Sequence, residues 1–217
     1  MDWIFLNKVH QDWISILIAS NLILLSFTKW RYDRKFISFF KSVDPSVYFN
    51  NYGNNFFFNR FFGANILIFS VANVSLFLIF ILNSLDLTEI DIISFLILFS
   101  FLLSVGFLSY LLNSILGQIL AVRRETLAFS FNNLRFLFRV SIFIFLILII
   151  HYYYFYDRLI FLRTTSFCVL VFYYLKSIVI IYKFLGNLNG GKLFFILYLC
   201  TLKFTPWVFI YWFINNI

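Results

Sequence analysis

Long apolar runs separated by short polar segments dominate the chain, and six of these runs are long enough to cross a bilayer. They occupy residues 13–30, 63–83, 92–120, 134–155, 160–184 and 192–214. A transmembrane helix needs roughly 20 apolar residues, because the hydrocarbon core is about 30 Å thick. The pattern therefore predicts a single polytopic domain over residues 1–217, with an all-α fold: an integral membrane bundle of about six transmembrane helices.

Composition excludes a soluble globular protein. Of the 217 residues, 63% are hydrophobic and 12% are charged, whereas soluble domains average roughly 45–50% apolar and about 25% charged residues. The net charge of +8 could serve a nucleic acid, but the basic residues stand at the ends of the apolar runs. We therefore expect membrane lipids as partners, and no nucleic acid.

The distribution of Lys and Arg predicts the orientation, because basic loops are retained in the cytoplasm. Lys8, Arg158 and Arg163 fall on one side of the predicted membrane. The other side carries Lys29, Arg31, Arg34, Lys35, Lys41, Arg60, Arg123, Arg124, Arg135, Arg139, Lys183 and Lys192. This asymmetry predicts a multi-pass protein of the bacterial inner membrane with both termini in the periplasm.

Residues 31–62 form the longest polar connection, which we expect on the cytoplasmic surface of the membrane. The sequence RYDRKFISFF places Phe36, Phe39 and Phe40 at near-helical spacing among basic residues. This pattern predicts an interfacial amphipathic helix that lies in the headgroup zone, ended by Asp44-Pro45. The predicted lipid-surface residues are Arg31, Arg34, Lys35 and Lys41.

Lys203 lies near the middle of the last apolar run, where a charge costs roughly 2.5–3.5 kcal/mol on insertion scales. Pro206 deprives a carbonyl near Leu202 of its helical donor, so that carbonyl, Thr201 and Thr205 offer local acceptors for the ammonium. None of the nine acids lies inside a predicted span. A carboxylate from another membrane protein is therefore the alternative partner for Lys203.

Three further polar residues fall inside predicted spans. Lys176 lies about seven residues from a basic helix end, within reach of snorkelling. Asn113 shares a helix face with Gly106, Ser109 and Gly117, which predicts helix packing with Asn73 of the second span as its partner. The alternative is a polar path through the membrane lined by Asn113, Gln118 and Lys203.

Motifs for catalysis are missing from the sequence. It has no Gly-rich phosphate loop, paired metal-ligand motif or nucleophile elbow, and Cys168 and Cys200 fit small buried apolar positions. We expect neither an enzyme nor a cofactor. The pattern favours a noncatalytic subunit or assembly factor of a larger cell-envelope complex, of secretion or respiratory type, with other integral membrane proteins as partners. The alternative is a small transporter or channel.

Two stretches resemble a known family. They are QDWISILIASNLILLSFTKWRYDRKFISFF near the start and KLFFILYLCTLKFTPWVFIYWFI in the last run, where Pro206 follows Cys200 by six residues. Both are similar to the domain of unknown function 4271 family of Bacteroidota. The resemblance implies an all-helical inner-membrane protein and no assigned activity. Lys203 departs from the family pattern, which often has an acidic residue there, and this argues against a shared proton or ion role.

Overall fold

A computed structural model of the chain describes residues 12–41, 60–85, 87, 90–119, 123–155 and 159–186. Within these ranges the secondary structure consists of six α-helices, and no strand occurs. They are α1 (Asp12–Arg31), α2 (Asp33–Lys41), α3 (Arg60–Ser84), α4 (Ile92–Ile119), α5 (Arg123–Tyr154) and α6 (Leu159–Gly186). All except α2 are long and apolar enough to span a membrane, so the predicted all-α membrane bundle is confirmed.

Helix α3 is the innermost element of the described bundle. It packs against α1, α4, α5 and α6, and 67% of its candidate span is buried, compared with 11% in α4 and α6. Its neighbour α5 is second, with 44% buried. Apolar side chains of α3 and α5 therefore build the core, while the outer helices present most of their apolar surface to the surroundings.

The chain bends between α1 and α2 at Tyr32. Thr28 and Phe36 line the same small cavity, together with Asn65, Phe69 and other residues of α1, α3 and α5. A straight helix would separate Phe36 from Thr28 by about 12 Å along its axis. Helix α2 therefore turns away from the axis of α1 and packs on the bundle at the level of the last turn of α1, and its place at the membrane surface stays a prediction.

Phe39 of α2 is completely buried in protein, so this side chain of the amphipathic segment packs on the bundle. Its ring meets Phe62 at 5.6 Å, Phe131 at 5.3 Å and Phe138 at 5.8 Å between centroids, and Phe36 meets Phe138 edge to face. Only Phe40 keeps a large exposed fraction, 45%. Packing on α3 and α5 therefore takes one face of α2 away from lipid.

The helix bounds agree with the sequence prediction except at one place. Helix α4 begins at the predicted residue, and α3 and α6 differ from prediction by a few residues. Helix α5, however, begins at Arg123 instead of residue 134. Arg123 and Arg124, counted above among the basic residues that flank the predicted spans, therefore lie in its first turn. The sixth predicted span, 192–214, lies outside the described residues.

Candidate functional site

The leading candidate from the sequence cannot be placed. Thr201, Lys203, Thr205 and Pro206 all lie outside the described residues, and their predicted roles stay predictions. The remaining candidates lie on α1 to α6, and they form three separate groups: polar side chains inside the bundle, a lysine on its outer face and basic side chains at one end.

The first group is a set of buried polar side chains halfway along α3. Asn73 is fully buried, and its Nδ2 donates to the carbonyl of Phe69 at 2.7 Å. The hydroxyl of Ser75 donates to the carbonyl of Val71 at 2.7 Å. These bonds run back along the same helix by one turn, while the buried Oδ1 of Asn73 has no hydrogen-bond partner within the described part of the chain.

One polar contact joins α3 to α5 at this level. The hydroxyl of Ser141 donates to the carbonyl of Ser70 at 3.3 Å, and both residues are fully buried. A second joins α1 to α3, where Nδ2 of Asn65 donates to the hydroxyl of Thr28 at 3.3 Å. Small polar side chains thus hold helices together here, as is common in membrane bundles.

Asn113 is buried on α4, but the structure does not bring it to Asn73. A Cβ built at Gly106 of α4 would lie 3.8 Å from Cδ1 of Leu67 in α3. Because α3 and α4 run antiparallel, this register places Asn113 about 20 Å along the axis from Asn73. The predicted pairing of these two amides is therefore not formed.

The alternative polar path through α4 is also not assembled by the described residues. Asn113 is buried, whereas Gln118 is exposed. Five helical residues correspond to a rotation of about 140° from one side of the helix toward the other. Asn113 and Gln118 therefore do not line a common surface.

Lys176 lies on the outer face of α6, inside the candidate span Ile160–Tyr182. Its side chain is exposed, and Phe172, Leu175 and Val179 around it are 48%, 60% and 46% exposed. About 9 Å of helix separates it from Tyr182 at the end of the span. A cation thus interrupts an apolar outer face within the membrane.

Cys168 is exposed on α6, which corrects the expectation that it is a buried apolar side chain. Helix α6 packs on α3 and α5 through other residues. One example is Tyr173, whose ring stacks on Phe136 of α5 at 5.5 Å between centroids. Cys200 lies outside the described residues. Among the described residues, no three His, Cys, Asp or Glu side chains form a group able to hold a metal ion.

The third group is the corner between α1 and α2. Arg31 and Arg34 are exposed and Lys35 is half-buried, while Lys41 is the last residue of α2, with a side chain outside the described set. Cζ of Arg31 lies 5.9 Å from the ring centroid of Tyr32. Beside these cations, Trp30 is 80% exposed.

Two arginines that sequence reasoning counted only as loop charges hold helix ends in place. Nη2 of Arg139 in α5 donates to the carbonyl of Phe40 in α2 at 2.6 Å, and Nη2 of Arg163 in α6 donates to the carbonyl of Ser84, the last residue of α3. Carbonyls at helix C-termini lack helical donors, and basic side chains commonly supply them. These two roles depend on which helices lie next to each other, and the sequence alone does not indicate that.

At the same end as Arg163, His151 lies in the last turn of α5 and is buried. Its ring meets Phe80 edge to face at 5.4 Å and stacks on Phe161 at 6.4 Å. The hydroxyl of Ser15 in α1 donates to that of Tyr152 at 3.3 Å. These contacts join four helices at the end opposite the basic corner.

Comparison with known proteins adds a family and no activity. The family described as a domain of unknown function (DUF4271) matches residues 14–214 of the chain. No curated protein matches the chain, and no solved structure matches it.

Proposed function

The chain belongs to the DUF4271 family and is a multi-pass helical membrane protein, and from this premise we propose that it is a noncatalytic subunit or assembly factor of a larger cell-envelope complex. Its place is the bacterial inner membrane, with both termini in the periplasm. The partners are other integral membrane proteins.

The outer face of α6 carries this proposal. Lys176 is exposed there, about 9 Å of helix from the end of the candidate span, so its ammonium either snorkels to the headgroups or needs a partner, because a cation among lipid tails is costly. A carboxylate or carbonyl supplied by a neighbouring membrane protein offsets that cost. Phe172 and Val179 lie within about 60° of Lys176 around the helix axis and are 48% and 46% exposed, which gives a partner helix an apolar surface beside the charge.

The described residues support a transporter less well than a structural subunit. Asn113 and Gln118 lie on different sides of α4, and the buried amide of Asn73 is bonded to its own helix. The polar contacts of Asn65 and Ser141 instead join neighbouring helices, which supports a structural role.

Site-specific photocrosslinking in the native host tests the proposal. A photoreactive residue in place of Leu175 on α6 should give a discrete product with a second membrane protein. The same residue in place of Ile16 on α1, which is 68% exposed, is the matched control and should give lipid adducts only. A product from Leu175 confined to the chain's own residues 192–214 would overturn the proposal.

The charge itself is tested by Lys176→Met. We expect this variant to be inserted and folded, yet to lose the crosslinked partner on purification in mild detergent, because the partner's polar group then has no cation to meet. Lys29→Met, at another exposed lysine, should keep the partner. If both variants kept the partner, Lys176 would not be part of the interface.

A further inference from the structure

The end of the bundle formed by α1 and α2 exposes cations and an aromatic ring side by side. We name Lys29, Trp30, Arg31 and Arg34 the α1–α2 corner. All four side chains are exposed, and Trp30 is 80% exposed. Half-buried Lys35 adds a further positive charge, and exposed Asp33 is the one acid between residues 29 and 35. The corner therefore has a clear positive excess.

The position of this corner relative to the bilayer follows from contacts between α1 and α3. Asn65 donates to Thr28, so the last turn of α1 is level with Asn65. About 28 Å of helix separates Asn65 from Ser84, the last residue of α3, at about 1.5 Å per residue. This length matches a hydrocarbon core of about 30 Å. With Ser84 at one boundary of the core, the α1–α2 corner lies at the other, where headgroups begin.

Contacts within the protein hold the α1–α2 corner in place. Phe39 fixes α2 against α3 and α5, and Arg139 binds the Phe40 carbonyl at its C-terminal end. Phe40 and Ile37 remain 45% and 40% exposed, and around the helix axis Ile37 lies about 60° and Phe40 about 120° from Arg34. Helix α2 thus presents one face to protein and an exposed face on which a cation neighbours apolar side chains.

We propose that the α1–α2 corner is a binding site for the headgroup of an anionic phospholipid. Arg31 and Arg34 supply the donors for the phosphate, Lys29 adds charge, and the indole of Trp30 lies beside the upper part of the acyl chains, where this ring is favoured. Ile37 and Phe40 contact the same lipid layer. A zwitterionic headgroup has no net negative charge to balance the positive charge of the corner. The site therefore binds an anionic headgroup more tightly than a zwitterionic one.

Trp30 is a reporter placed in the site itself. The full-length chain is reconstituted in phosphatidylcholine nanodiscs with a minor fraction of phosphatidylglycerol, and bromine quenchers are carried on the acyl chains of one lipid or the other. The difference in quenching between the wild type and Trp30→Phe isolates Trp30 from the other four tryptophans. We expect phosphatidylglycerol to bind at least about fivefold more tightly than phosphatidylcholine, the effect of about one basic residue near an anionic surface.

The combined variant Lys29→Gln, Arg31→Gln and Arg34→Gln should lose this preference, whereas Lys176→Gln, which removes one exposed charge on α6, should keep it. If the combined variant does not fold, Arg34→Gln alone should reduce the preference. Equal quenching by both lipids in the wild type, an unchanged preference in the corner variants, or an equal loss in Lys176→Gln would each overturn the proposal.

Discussion

Phe39 and Phe40 are neighbours in the chain and have the same side chain, yet they occupy opposite environments. Phe39 is fully buried among three other Phe rings, and Phe40 is 45% exposed. The sequence could show that α2 is amphipathic. It could not distinguish burial in protein from burial in lipid, because both favour the same apolar side chain. The partners of Phe39 come from α3 and α5, distant in sequence.

Replacing Phe39 by Ala should therefore destabilise the protein far more than replacing Phe40. We expect Phe39→Ala to lower the free energy of unfolding by about 3–5 kcal/mol, since it leaves a cavity that the neighbouring rings cannot fill. Phe40→Ala should lower the free energy of unfolding by less than about 1 kcal/mol, because nearly half of the Phe40 ring surface already contacts lipid or detergent in the folded protein. Unfolding in detergent, followed by circular dichroism, compares the two. Equal losses would contradict the burial difference.

At the scale of elements, the spans were predictable because length and apolarity alone define them. The start of α5 was not, since Ser130, Asn132 and Asn133 are typical of a loop. The segment is helical because Phe131, between Ser130 and Asn132, and Phe138, one to two turns later, pack against Phe39 of α2. Tertiary burial thus overrides weak helix propensity. The functional candidates near Lys203 lie outside the described residues and stay predictions.

A proline scan of α5 tests whether its first turns are helical. Asn132→Pro removes a backbone donor inside the helix and should lower the free energy of unfolding by about 3 kcal/mol or more. Arg124→Pro lies in the first turn, where the amide has no helical acceptor, and should cost much less. Thermal unfolding in detergent measures both. A small effect at Asn132 would place the start of the helix beyond it, near the residue that the sequence predicted.

The contact between Arg139 and α2 has its own measurable consequence. Arg139→Gln removes the charged donor to the Phe40 carbonyl, and hydrogen bonds from charged groups contribute about 1.5–3 kcal/mol. Amide hydrogens of residues 33–41 should therefore exchange about tenfold faster or more in detergent. Arg34→Gln, at an exposed side chain, is the control and should leave exchange unchanged. If both variants behaved alike, α2 would be held by its aromatic packing alone.

For the whole molecule, the two ends of the bundle differ in chemistry. One end has the exposed cations of the α1–α2 corner, and the other has His151 packed between rings and Arg163 bound to the end of α3. The sequence anticipated this asymmetry because Lys and Arg counts need no tertiary information. The arrangement of helices around α3 did require the structure, since every long helix is apolar and the pattern does not show which is central.

The asymmetry predicts which end faces the cytoplasm. In a background with Cys168→Ser and Cys200→Ser, a membrane-impermeant maleimide added outside intact inner-membrane vesicles of native orientation should label Tyr154→Cys, because Tyr154 is 81% exposed at the end that the proposed topology places in the periplasm. Arg34→Cys should react only after the membrane is opened, since basic loops stay in the cytoplasm. The reverse labelling pattern would invert the proposed topology.

The hydrogen bonds of α3 bear on how the protein is made. Ribosomes release this helix before α5, so during synthesis the most buried segment has to wait in the bilayer without its main neighbour. Asn73 and Ser75 each donate to a carbonyl one turn earlier in α3, which keeps their donors paired even among lipid tails. These two side chains therefore do not need α5 for their donor hydrogen bonds when α3 enters the bilayer.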